Sequence, residues 1–184
     1  MNLQEIVVDR HEDLEPLLAT KRPTAVEKLC FWRQPPDLAL LKRIAGSPVF
    51  ARLASLRARG GVQLLDDVFA TGLGHRLTTL IVDQTTTDDG SGVLGRWPHM
   101  PATLERLQVA DLALRRADGG TVVELIAERG KRAHPDEPGL LRELDSDPIA
   151  VRLRVHRFDP DVVRKFKAFA KKRGIPFEVE WIEA

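Results

Sequence analysis

The sequence contains no tyrosine, two methionines and a single cysteine, Cys30. A lone cysteine excludes an intramolecular disulfide, and with it the small secreted folds that depend on such staples. Long apolar runs are missing too: none approaches the ~20 residues that a membrane helix needs. The opening stretch MNLQEIVVDRHEDLEPLL is acidic and lacks the basic-then-apolar layout of a signal peptide. Nor is there an excess of either charge sign. The 28 basic and 27 acidic side chains leave a formal +1, so no global field draws the chain to nucleic acid or to a membrane surface. These absences point to a cytoplasmic protein, and the arginine-weighted basic charge without tyrosine suits a GC-rich bacterial genome.

What is present is an ordinary globular composition: 184 residues, 43% hydrophobic and 30% charged. That is enough for one well-buried core, and residues 1–184 read as a single domain. A short apolar pattern recurs along it, at Val26/Leu29/Phe31, Leu53/Leu56/Ala58, Leu77/Leu80/Val82 and Leu104/Leu107/Val109. The central leucines step by 27, 24 and 27 residues, within the range of a structural repeat. Weaker copies stand at Leu3/Ile6/Val8, Val122/Leu125/Ala127, Ala150/Leu153/Val155 and Pro176/Val179/Trp181. Three apolar positions coincide by chance at roughly 8% of starts in such a chain, so the weight lies on even spacing and on alternation. Polar residues such as Arg152, Arg154 and His156 interleave with the apolar ones, which describes strands with one buried face.

These triads and their spacing resemble the leucine-rich-repeat family, in particular its irregular bacterial versions. The resemblance implies an α/β fold: a short solenoid with a curved, mainly parallel sheet, helices on its outer side and a binding role for the outward strand residues. The family's asparagine after each strand is not matched, its places being taken by Gln34, Gly61, Thr85 and Leu112. The competing architecture is a compact α+β domain with a mixed sheet.

Helix signals fall between the strands. Asp37 precedes LALLKRIAG, Gly46 closes it, and LLDDVFATG supplies a second segment. In FDPDVVRKFKAFAKKRG, Asp159 is placed to cap, Pro160 to start and Gly174 to stop a helix whose Val163, Phe166, Phe169 and Ala170 form one apolar face. Ala117-Asp118-Gly119-Gly120 has hairpin chemistry, which would make the Leu125 strand antiparallel and no repeat. Residues 85–103 and 129–139 read as loops.

Catalytic motifs are sparse. Gly90-Ser91-Gly92-Val93-Leu94-Gly95 matches GxGxxG, but Asp88 and Asp89 would repel phosphate and Pro98 and Pro101 oppose a helix there. The five histidines are dispersed without ligand spacing, and Cys30 has no nucleophile signature around it. No catalytic residue, metal ligand or cofactor is assigned. The cations Arg164, Lys165, Lys167, Lys171, Lys172 and Arg173 are read as a solvated helix face, since no aromatic platform interleaves with them and they complement a helix C-terminus. Nucleic acid and membranes are therefore not expected as partners.

The informative set is the outward strand side chains: Trp32, Arg57, Arg59, Asp83, Arg106, Gln108, Arg152, Arg154 and His156. Tryptophan and arginine are common interface anchors. The expectation is a non-enzymatic scaffold that binds another protein through these residues. A regulator or toxin-neutralising protein of α+β fold is the alternative, ahead of a nucleotide-dependent enzyme using the 90–95 loop.

Overall fold

Buried residues alternate with more exposed ones through Ser55–Arg59, Thr79–Asp83 and Arg106–Val109, whereas residues 29–31, 112–114 and 122–125 are buried in unbroken runs. The structure is a computed structural model that describes residues 4–83, 92–109, 112–127, 148–155 and 160–181. His156, Asp159, the 129–139 loop and the Gly90-Ser91 start of the glycine motif lie outside the described residues. The chain divides into two compact units, Met1–Thr85 with Met100–Glu105, and Thr86–His99 with Arg106–Ala184.

In the first unit, strands β1 (Glu5–Val8), β2 (Lys28–Phe31), β3 (Ser55–Arg59) and β4 (Thr79–Asp83) pair in parallel and in chain order. Leu29 stands opposite Leu56, and Leu56 opposite Leu80. Parallel neighbours require a crossover, and the crossovers here carry helices α1 (Glu15–Leu18), α2 (Leu38–Gly46) and α3 (Val62–Ala70). Asp37 caps α2 as its sequence implies, its carboxylate accepting from the Leu40 amide at 2.7 Å. Leu40, Leu41 and Ile44 of α2, and Leu64, Leu65 and Val68 of α3, are buried at helical spacing. They join Leu29, Phe31, Leu56, Ala58, Leu80 and Val82 as core.

The entries of these strands share one device. The Gln4 carbonyl accepts from the amides of Glu27 and Lys28, the Glu27 carbonyl from Ala54 and Ser55, and the Ala54 carbonyl from Thr78 and Thr79, all at 2.8–3.0 Å. The Thr78 carbonyl then accepts from Glu105 at 2.9 Å. The ladder is built from main chain, with one side-chain addition, the Thr78 hydroxyl, which donates to the Ala54 carbonyl at 3.3 Å.

The second unit departs from repetition. Its strands are β5 (Arg106–Val109), β6 (Leu112–Ala117), β7 (Gly120–Ala127), β8 (Ala150–Val155) and β9 (Phe177–Trp181), with helix α4 (Pro160–Arg173) before the last. β5–β6 and β6–β7 pair antiparallel, whereas β7–β8 and β8–β9 pair parallel. This overturns the leucine-rich-repeat resemblance and the curved, mainly parallel solenoid. The fold is α+β with a mixed sheet. The physical reason is connection length: two residues part Val109 from Leu112 and two part Ala117 from Gly120, too few for any parallel crossover. At the second turn Gly119 has φ +89°, a left-handed conformation that glycine supplies cheaply. Along α4, Phe166 and Ala170 are buried, as are Leu107, Leu114, Val123, Leu125, Val151 and Leu153 of the strands.

Residues 92–99, expected to lie in an irregular loop, form a helical turn at 92–95 and a 3₁₀ turn at Trp97–His99. Val93 and Leu94 are fully buried and Trp97 nearly so. The Trp97 indole N–H donates to the Thr121 hydroxyl at 2.9 Å, and the Arg116 guanidinium lies 4.6 Å from its ring centroid. The β6–β7 hairpin thus holds this segment by a hydrogen bond and a cation–π contact.

Candidate functional site

Strand alternation fixes which side chains share one face of the strands in each unit. In the first unit Arg57 and Asp83 meet: Arg57 Nε and Nη2 donate to the two Asp83 oxygens at 2.9 and 3.0 Å. Arg59 stands opposite Asp83 in the β3–β4 register and is exposed. Trp32 follows β2 and is 52% exposed, while its amide donates to the Val8 carbonyl at 2.9 Å. Cys30 lies opposite Arg57 and Val7. Burial pushes its thiol up from the ordinary range, and the nearby Arg57 charge pulls partly the other way, with Asp83 and Glu5 adding to the rise. A thiol held protonated is a poor nucleophile.

In the second unit the same reasoning gathers Arg106 and Gln108 on β5, Arg115 on β6, Glu124 on β7, Arg152 and Arg154 on β8, and Glu178 and Glu180 on β9. Arg106 Nη2 donates to the Gln108 Oε1 at 3.0 Å. Arg152 Nε lies 2.8 Å from Glu178 Oε2, and Arg154 Nε 2.9 Å from Glu180 Oε2. The arginine side chains of β8 remain 40% and 45% exposed, so each pair is worth at most about 1 kcal/mol of stability. Each arginine is thus biased toward its glutamate through Nε while much of its side chain faces solvent.

Of the residues expected to act together, Trp32, Arg57, Arg59 and Asp83 belong to the first unit, and Arg106, Gln108, Arg152 and Arg154 to the second. Arg115 and Glu124 were not among them. Their signal is the parity of apolar positions, which changes from odd at Leu107 and Val109 to even at Leu112 and Leu114. That switch marks a chain reversal and places Arg115 beside Arg106.

The glycine motif has a structural role over its described part, because Val93 and Leu94 are core. Among the described residues no group of three or more His, Cys, Asp or Glu side chains is placed to hold a metal ion, and no helix is long and apolar enough to cross a membrane. No family model, curated protein or solved structure matches the chain.

Proposed function

We propose that the chain is a non-catalytic binding protein of α+β fold, a regulator or toxin-neutralising protein that works by engaging another protein. The observation that carries this reading is the set of cross-strand arginines in the second unit. Arg152 and Arg154 are oriented by Glu178 and Glu180 yet about half exposed. A guanidinium biased toward one orientation before binding loses less side-chain freedom on association, which is one cost of forming an interface. Arginine is also the charged residue most enriched at interfaces, while a face of alternating sign offers partner selectivity.

The test is affinity capture from native lysate with wild type and with the Arg152→Gln/Arg154→Gln double variant. Neutral replacements remove both guanidinium groups without setting like charges opposite Glu178 and Glu180, and because both side chains are exposed and their pairs weak the fold should stay intact, which circular dichroism checks. Recovery of the specific partner should fall at least about tenfold, the equivalent of 1.4 kcal/mol. A partner retained equally by both proteins refutes the reading. A nucleotide thermal-shift screen addresses the enzyme alternative, since a ligand at a hundred times its Kd stabilises by about 2.7 kcal/mol. The expected outcome is no shift.

A further inference from the structure

Among the described residues three large apolar side chains are exposed, and two of them lie at the β1 end of the first unit: Val7, 61% exposed, and Trp32. Val7 stands opposite Cys30, and Trp32 follows two residues beyond it on the same face. The main chain of β1 is open there too. β1 pairs only with β2 among the described residues. The Gln4 carbonyl accepts from Lys28 and the Val8 carbonyl from Trp32. With Glu5 in register with Lys28, residues 4, 6 and 8 therefore turn their main-chain groups toward β2. Glu5 and Val7 turn theirs outward, and neither has another hydrogen bond among the described residues. Such an edge is a template for a further strand, and proteins commonly blunt it with lysine, proline or a bulge. β1 has none of these.

We propose that this edge pairs antiparallel with β1 of a second copy of the chain, about a two-fold axis at Ile6. Charge selects that register. A two-fold at Glu5 would oppose two glutamates, and one at Val7 would set Glu5 against Asp9 of the second copy, and like charges directly opposite repel. About Ile6, each Glu5 instead meets Val7 of the second copy, and these residues exchange their outward N–H and C=O groups across the seam. The two Ile6 side chains, half-buried in one copy, then cover each other. The strand β9 shows the opposite design: pairing with its own copy about Val179 would oppose Glu178 and Glu180. A formal net charge of +1 leaves little long-range repulsion between two copies. The contact is self-complementary and closes at a dimer. A seam of four residues per copy belongs to the small, weak class of interfaces. The proposal is independent of the β8 arginines.

The test is sedimentation velocity of the full chain over rising concentration. A monomer–dimer equilibrium should be seen with a Kd below about 1 mM. Val7→Lys, at an exposed position, should leave the circular dichroism unchanged and weaken the dimer at least about tenfold, because lysine guards an open edge. Amide exchange at Glu5 and Val7 should slow as concentration rises, whereas Ile6 and Val8, already bonded to β2, should not change. Register is read by cross-linking in a Cys30→Ser background, which leaves an introduced thiol alone in the chain. The two Ile6 Cα atoms would lie about 4.5 Å apart as a non-hydrogen-bonded pair, within disulfide reach. Mild oxidation should therefore link Ile6→Cys chains into dimers faster than Glu5→Cys chains. A chain that stays monomeric to about 1 mM, a dimer undiminished in Val7→Lys, or faster linkage at Glu5→Cys would each overturn the proposal. So would a dimer lost instead in Arg152→Gln/Arg154→Gln, which would place self-association on the second unit.

Discussion

At the scale of single residues, Trp97 and Cys30 show how neighbours decide what a side chain can do. The Trp97 ring is buried, hydrogen-bonded to Thr121 and capped by Arg116. Trp97→Ala should therefore cost about 3–5 kcal/mol in denaturant unfolding. Trp97→Phe keeps the ring but not the N–H, and should cost distinctly less. Cys30 is buried beside Arg57, and its folded thiol titrates above the ordinary value of 9.0. Its contribution to stability is whole below the unfolded thiol's pKa and is lost as pH rises through the folded one. Urea midpoints between neutral and strongly alkaline pH should fall less steeply for Cys30→Ala than for wild type. Arg57→Gln removes the charge that draws the thiol down, so alkylation of Cys30 at neutral pH should become slower still.

At the scale of elements, the β6–β7 hairpin turns on two glycines of positive φ. Gly119→Ala should cost about 1–3 kcal/mol through backbone strain alone. Gly120→Ala adds a clash, because a Cβ there would lie 2.8 Å from Ile149 Cγ2, and Ile149→Ala in the same chain should recover part of that loss. On β5, Leu107 is fully buried whereas Gln108 lies on the polar face. Leu107→Asp should unfold the second unit by burying an unpaired charge. Gln108→Asp should be nearly silent in thermal melts, since its carboxylate would sit among guanidinium groups. Equal effects would contradict the alternation. The strands and helices themselves were legible in sequence, from the period-two alternation around Leu29, Leu56, Leu80 and Leu153 and from caps such as Asp37. Pairing direction was legible at one turn, Ala117–Gly120, whose glycines marked the hairpin that the antiparallel β6–β7 pair shows. Elsewhere the even spacing of the leucines suggested one repeating arrangement, and the short link after Val109, which dictates the other reversal, is a matter of chain length and not of apolar pattern.

At the scale of the whole molecule, near-neutral charge matters most. With a sequence pI near 8.0, light scattering should show self-association strongest around that pH and weaker on the acidic side, where the net charge grows. The candidate site was legible in part for related reasons. Outward positions follow from alternation, so Arg57, Arg106, Arg152 and Arg154 were identifiable. Which of them are matched by a glutamate depends on strand order and register, and those arise only when distant segments pair. The carbonyl ladder through Gln4, Glu27, Ala54 and Thr78 has a further consequence. Apart from the Thr78 hydroxyl, which also donates to the Ala54 carbonyl, its joints use main-chain atoms, so the joints themselves require only that the donors keep an N–H, and proline would break them at positions 27, 28, 54, 55, 78, 79 and 105. Each strand with its return segment behaves as a cassette, and lengthening the stretch between joints, for instance after Thr20, should leave the joints undisturbed.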